Sequence, residues 1–153
     1  MSGWTWHTTA VVAGLTAATL LGASPAAAAT CPTSPKTAQA AADAYLAALT
    51  SHDASAVPFA ADVLRVENGL VTGRSAEGIR TDLNTSVKYR IITGLRDRQY
   101  TAGPGRVDVR YRLDVGFTAP VVGTVRVVTV SVNERFDVTC GRITFIKATI
   151  SPA

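Results

Sequence analysis

The stretch Val107-Asp108-Val109-Arg110-Tyr111-Arg112-Leu113-Asp114-Val115-Gly116-Phe117 alternates six apolar residues with five that are charged or glycine. Strict period-two alternation over that length predicts a long strand with one buried and one wet face. After the break at Ala119-Pro120, a β-branched run extends from Val121 to Val138, and beyond the tight-turn pair Cys140-Gly141 a third strand returns from Arg142 to Ile150. The result is an antiparallel meander of long strands that needs helices against its apolar face. A further strand is expected over Lys88 to Tyr100, with Tyr89, Ile91, Thr93, Leu95 and Asp97 on one side. Asp62 to Glu67 reads as a short strand, followed by an Asn68-Gly69 turn.

Helical spacing replaces alternation upstream. Ser34-Pro35 is a helix start, with Ser at the N-cap and Pro at a position where its missing N–H costs nothing. Ala38, Ala41, Ala42, Tyr45, Ala48 and Leu49 then form one narrow apolar face, small enough to lie close to a sheet. Thr50-Ser51-His52-Asp53 ends this helix, and Asp53 caps a short turn that stops at Pro58. Ser75 caps a second helix with Ala76, Ile79, Leu83 and Val87 on its apolar side.

The first segment belongs to a different pattern. Ala10 to Leu21 is a short apolar core followed by Gly22-Ala23-Ser24-Pro25 and four alanines. This predicts a signal peptide over residues 1–29, removed after Ala29, although no Lys or Arg precedes the core. The core is shorter than the roughly 20 residues needed to span a bilayer, so no stable membrane anchor is expected. Residues 30–153 then form a single domain that keeps all 15 basic and 11 acidic residues and the net charge of +4. Twelve of the basic residues are Arg, a bias associated with GC-rich bacterial genomes, so the expected location is secreted and extracellular by bacterial export.

In an exported chain the two cysteines, Cys31 and Cys140, are expected to pair. Closing so long a loop stabilises by about 4 kcal/mol in the chain-entropy model. No Cys or His cluster accompanies them, so no metal and no other cofactor is expected. The charge is interspersed along the strands, as in Asp108, Arg110, Arg112 and Asp114, and no basic stripe with aromatics points to nucleic acid.

Two carboxylates break the pattern. Asp97 and Glu134 each fall on the apolar side of a strand, Glu134 in series with Val128, Val130, Val132, Phe136 and Val138. A carboxyl among apolar neighbours is a candidate for acid–base catalysis, because burial raises its pKa toward neutrality. His52 is the one histidine outside the leader, so any imidazole chemistry falls to it; the alternative is a helix C-terminal histidine meeting the helix dipole.

The order helix, short helix, strand, helix and four long strands, with Val107–Leu113 and Glu134-Arg135-Phe136-Asp137-Val138-Thr139-Cys140-Gly141-Arg142-Ile143, resembles the nuclear transport factor 2-like superfamily. That group includes SnoaL-like polyketide cyclases, ketosteroid isomerases and limonene epoxide hydrolases. The stretch from Tyr45 through His52-Asp53 to Val66-Glu67-Asn68-Gly69 is similar to its secreted members of unknown function. The resemblance implies an α+β, cystatin-like fold: a cone of curved antiparallel sheet wrapped around N-terminal helices, with a pocket at its open end. Tyr45, His52, Glu67, Tyr89, Tyr111 and Phe136 are the residues expected to line that pocket. Arg112-Leu113-Asp114 matches the Arg-x-Asp of the epoxide hydrolases, but Arg112 and Asp114 take the wet parity.

Fold alone carries no activity. The first reading is a module that binds a small apolar ligand. The second is an acid–base isomerase or cyclase using a buried carboxylate. The third is a structural domain with a filled cone that forms a homodimer through the sheet, for which apolar residues on both faces of Val121 to Val130 are suited. An open cavity holding a carboxyl without a counter-charge favours the second.

Overall fold

A computed structural model describes residues 31–153. The expected leader and its cleavage point after Ala29 lie outside the described residues. The elements, in chain order, are α1 (Pro35–Ser51), β1 (Phe59–Glu67), β2 (Leu70–Gly73), α2 (Ala76–Thr85), α3 (Val87–Arg90), β3 (Ile92–Gly103), β4 (Arg106–Ala119), β5 (Gly123–Thr139) and β6 (Arg142–Pro152). The strands form one six-stranded sheet in the order β2-β1-β6-β5-β4-β3, in which only the β1–β6 pair is parallel. The architecture is the expected α+β cone, with α1 and α2 against the inner face of the sheet.

Helix α1 begins where the sequence says it should. The Ser34 hydroxyl accepts the Thr37 N–H at 3.1 Å, and Pro35 occupies the first turn. It ends at His52, which takes the left-handed conformation with φ 56° and donates its N–H to the Ala48 carbonyl. Its alanines let it lie close to β3 and β4, and all six residues of its expected apolar face are buried. The Tyr45 ring meets Phe59 and Phe136 edge to face, with centroids 6.1 and 5.3 Å apart, and this cluster fills the cone interior. Phe136 is fully buried there.

Bulges curve the sheet. Register shifts occur between Ile92 and Gly94, between Arg96 and Gln99, between Val115 and Gly116, and between Asp137 and Val138. At Gly116 the partner strand comes so close that an added Cβ would stand 1.9 Å from the Val125 carbonyl oxygen, so only glycine fits. At the opposite end, Cys31 and Cys140 form the expected disulfide with their Cα atoms 4.8 Å apart. The Thr33 carbonyl also accepts the Gly105 N–H, closing this end of the cone.

Three local expectations are corrected. The short turn expected at Asp53 is present over residues 53–57, held by the Ser55 N–H on Asp53, but the short helix expected next in the order of elements is absent there. Helix α2 stops at Thr85; Val87 belongs to α3 and is 75% exposed. The strand expected from Lys88 begins only at Ile92, because Ser86 starts a new helical turn that takes Lys88, Tyr89 and Arg90.

Candidate functional site

A cavity of about 230 Å³ opens between α1, α3 and the inner face of the sheet. Leu49, Ile92, Leu113, Val115, Val130, Val132, Ala148 and Ile150 form its apolar wall. Its polar groups are Tyr45, Glu67, Lys88, Tyr89, Tyr111 and Glu134. The volume lies just below the ~300–1,000 Å³ usual for ligand pockets, which restricts an occupant to a small molecule.

Glu134 is the group that needs explanation. Period two on β5 puts it inward with Val132, Phe136 and Val138, and it is 3% exposed. On neighbouring strands it faces Val109 and Ala148. Among the described residues its side-chain hydrogen bond comes from the Tyr111 hydroxyl, which donates to Oε2 at 2.6 Å. No cation forms an ion pair with it among the described residues. Burial pushes its pKa up to about 7, opposed by the Tyr111 bond, with the charge of Glu67 adding to the rise and Arg65 reducing it. Tyr111 responds in kind: burial first, then the Glu134 charge, holds its phenol well above the ordinary value.

Glu67, at the end of β1, is the counterexample within one cavity. Its Oε1 accepts the Tyr89 hydroxyl at 2.7 Å and its Oε2 accepts Lys88 Nζ at 2.9 Å. Burial raises its pKa, but these two bonds and the charges of Arg65 and Lys88 win and hold it below the ordinary value. Tyr89 and Lys88 are within reach because α3 replaces the start of the expected strand.

Arg65 stands behind these residues, with its side chain wholly buried. Its Nη2 donates to Asp82 Oδ2 at 2.5 Å and to the Thr72 carbonyl at 3.1 Å, and Nε donates to Thr72 Oγ1 at 3.1 Å. The guanidinium lies over the Tyr89 ring, 5.1 Å from its centroid, and Nη1 has no partner among the described residues. Burial works against its charge, while the Tyr45 and Tyr89 phenols, Glu67 and Asp82 keep it protonated. Tyr45 shares this environment: burial, then the Glu134 charge, raises its phenol pKa, and Arg65 lowers it.

Of the residues expected at the site, the cavity brings together Tyr45, Glu67, Tyr89, Tyr111 and Glu134. Three do not join them. Asp97 sits on the bulge between Arg96 and Gln99 with φ 56°, which turns a residue of apolar parity outward; its side chain is 59% exposed and pairs with Arg96 and Arg112. His52 caps α1, and its ring Nε2 bonds the Tyr89 carbonyl at 3.1 Å, supporting the turn that presents Tyr89. Phe136 packs on Tyr45 behind the cavity wall. Arg65 and Lys88 were not expected there. The parity shared by Val63, Arg65 and Glu67 was the available signal for Arg65; for Lys88 there was none, since alternation placed it on the wet side.

A larger hollow, about 710 Å³, crosses the outer face of the sheet past Gln99, Arg110, Asn133, Arg135 and Lys147. It is open and polar, and its charged side chains are solvated, so the smaller inner cavity is the site with chemical character. Arg112 and Asp114 also face outward; Asp114 is occupied by Arg96 and Thr129. Among the described residues no three His, Cys, Asp or Glu side chains are grouped to hold a metal ion, and no helix is long and apolar enough to cross a membrane.

Comparison with solved structures finds this fold repeatedly. A candidate polyketide cyclase from Xanthomonas campestris pv. campestris is 20% identical, with a TM-score of 0.59 over 75% of this chain and 90% of its own. A candidate ketosteroid isomerase from Kribbella flavida is 13% identical, with a TM-score of 0.59 over 77% of this chain and 80% of its own. An LEH-like epoxide hydrolase from M. tuberculosis is 19% identical, with a TM-score of 0.57 over 76% of this chain and 84% of its own. At these identities the likeness shows the fold alone. No curated protein matches the sequence. The model of a family described as a domain of unknown function, DUF8021, matches residues 32–150. The chain thus belongs to the DUF8021 family and has the nuclear transport factor 2-like fold.

Proposed function

We propose that the protein binds a small, largely apolar molecule in the cone and moves a proton on it through Glu134. The observation that carries this reading is a buried carboxyl at the edge of an apolar cavity, bonded by a phenol and ion-paired to no cation among the described residues. A group with a pKa of about 7 is present in both protonation states near neutral pH, which is what a general acid–base catalyst needs. The fitting substrate class is a small carbonyl compound whose adjacent C–H is acidified. Glu134 takes that proton as carboxylate and returns it at another carbon in an isomerisation; in a cyclisation the carbanion adds to a second carbonyl of the same substrate and the proton is returned to the alkoxide oxygen so formed.

Tyr45 suits the second role. It lines the cavity, and Arg65 beside it works against the rise that burial gives its phenol pKa. A phenol so placed can donate to the substrate oxygen where charge builds as the proton leaves. Activities named for proteins of the same fold, isomerase and polyketide cyclase, are compatible with this chemistry. Simple ligand binding needs the apolar wall but gives no reason to bury Glu134 without a cation. The disulfide fits an oxidising compartment, and together with the leader it supports export as the setting of this activity.

The test is deuterium exchange. Small apolar ketones in D2O should exchange their α-protons faster with the protein, at a rate that rises with pH through about 7. Glu134→Gln should abolish the acceleration while ketone binding persists. Ketone binding without exchange in either protein would leave a binding module, and equal exchange in both would place the base elsewhere.

A further inference from the structure

Among the described residues, the large apolar side chains left exposed are Leu70, Val71, Val87, Ile91, Phe117, Val121, Val122, Val127, Val128 and Ile150. They lie toward the strand ends away from the disulfide: at the β1–β2 turn, the end of β6, the start of β5, the end of β4, and on α3, which leads into β3. Glu67 pairs with Ala148, Val132 with Ile150, Val128 with Val115, and Val115 with Ile92, so this edge is staggered from strand to strand. It is the open end of the cone, and Ile92, Val115, Val130, Ile150 and Lys88 line the cavity beneath it. The other end, with the disulfide and the 103–105 turn, exposes none of these side chains.

These residues stand on three separate tips around the mouth. Leu70 and Val71 follow the Asn68-Gly69 turn, Val87 and Ile91 flank α3, and Val121 and Val122, 98% and 72% exposed, cap the β4–β5 hairpin. Beyond the Gly116 N–H, which donates to the Ile91 carbonyl at 2.8 Å, the hairpin from Phe117 to Val125 pairs only with itself among the described residues, since β3 reaches no further than Val115 and β6 no further than Val130. A free two-stranded ribbon is marginal in water, and this one ends in bare valines. Exposed cations accompany the tips: Lys88, Arg90 and Arg126, of which Arg90 has no side-chain partner among the described residues. The carboxylates paired with Lys88 and Arg126, Glu67 and Asp114, are mostly covered, while the exposed Asp97 is held by Arg96 and Arg112.

We propose that this open end docks reversibly on an anionic lipid surface, the three tips entering the interface around the mouth and the cations meeting the headgroups. Separate prongs round an opening suit a fluid, deformable surface, which fills the spaces between them. The cations match the charge of such a surface, and a second copy of this chain would bring like charges together. The apolar rim continues into the cavity wall, so docking would set the mouth against the phase in which a small apolar molecule dissolves.

The experiment is flotation of the purified protein, without ligand, on phosphatidylcholine vesicles with and without about one-quarter phosphatidylglycerol. Binding should need the anionic lipid and weaken at about 0.5 M salt. Val121→Asp with Val122→Asp, at side chains 98% and 72% exposed, should cost about tenfold or more in vesicle affinity while ketone binding in the cone is kept. Arg90→Glu should weaken binding to anionic vesicles about tenfold. Absence of binding to either vesicle, or binding that the valine variant leaves unchanged, would overturn the proposal. Self-association abolished by the valine variant, with no vesicle binding, would overturn it in favour of a dimer. Because no ligand is present, any of these outcomes leaves the reading of Glu134 intact.

Discussion

Glu134 and Asp137 lie on one strand, β5, and face opposite sides of the sheet. Asp137, on the outer face, accepts from Arg106 at 2.9 Å and from Arg135 at 3.1 Å. Partial burial raises its pKa, but the two guanidiniums win and hold it below the ordinary value. Glu134 receives one phenol and no guanidinium, and burial wins. The strand thus carries two carboxyls set apart by their neighbours alone. The outer face uses charge to hold strands in register; the inner face keeps a carboxyl near neutrality, where proton transfer is possible.

That contrast breaks most completely at Arg65, the buried cation whose charge reaches the inner carboxylates. Arg65→Ala would leave Glu67 and Asp82 without it and should cost about 3–5 kcal/mol in urea unfolding. A loss below about 1 kcal/mol would mean that the inner face tolerates charge as the outer face does.

The pH dependence sharpens the contrast because the two faces have opposite signs. Glu134 has a folded pKa of about 7 against an ordinary 4.5, so the folded state holds a proton that the unfolded state releases. Its stabilising contribution is complete below pH 4.5 and is lost as pH rises to about 7, by about 3 kcal/mol. Asp137 and Asp114, with lowered pKa values, stabilise above the ordinary 3.8 and lose that contribution as pH falls through their folded values. Stability should therefore peak near pH 4–5, on the acid side of neutrality. In Glu134→Gln the decline toward pH 8 should vanish while the acid limb remains, as chemical denaturation across pH would show.

Asp137→Asn is the smallest perturbation. It removes one half-exposed partner of two arginines and should cost no more than about 0.5 kcal/mol, less at high salt. A cost equal to that of the inner substitutions would erase the distinction between the faces.

Much of this was legible because alternation survives where strands are regular. Val107 to Leu113 and Val132 to Val138 keep strict period two, and with it the inward position of Tyr111 and Glu134 could be read directly. The caps at Ser34 and Ser75 were equally legible, since each rests on a local hydrogen bond. Asp97 failed where the period fails: a bulge with a left-handed residue shifts parity and carries no clear signature in Arg96-Asp97-Arg98. The strand start over Lys88 and Tyr89 fails for a related reason, because a single helical turn and a strand start look alike over four residues; Tyr89 still lines the cavity as expected. Parity sets Arg65 inward with Val63 and Glu67, but its partners were not legible, since Thr72 and Asp82 are brought to it by β2 and α2.

The Cys31–Cys140 bond has a consequence for damage by proteases. It joins residues 109 positions apart, so nearly every loop of the domain lies inside the ring it closes. A protease that cuts once at an exposed turn, such as Asn68-Gly69 or Pro120-Val121, opens the chain without separating it. Both pieces stay covalently joined and can remain paired in one sheet. A single nick is then survivable damage, and the molecule comes apart only after a second cut or a reducing agent.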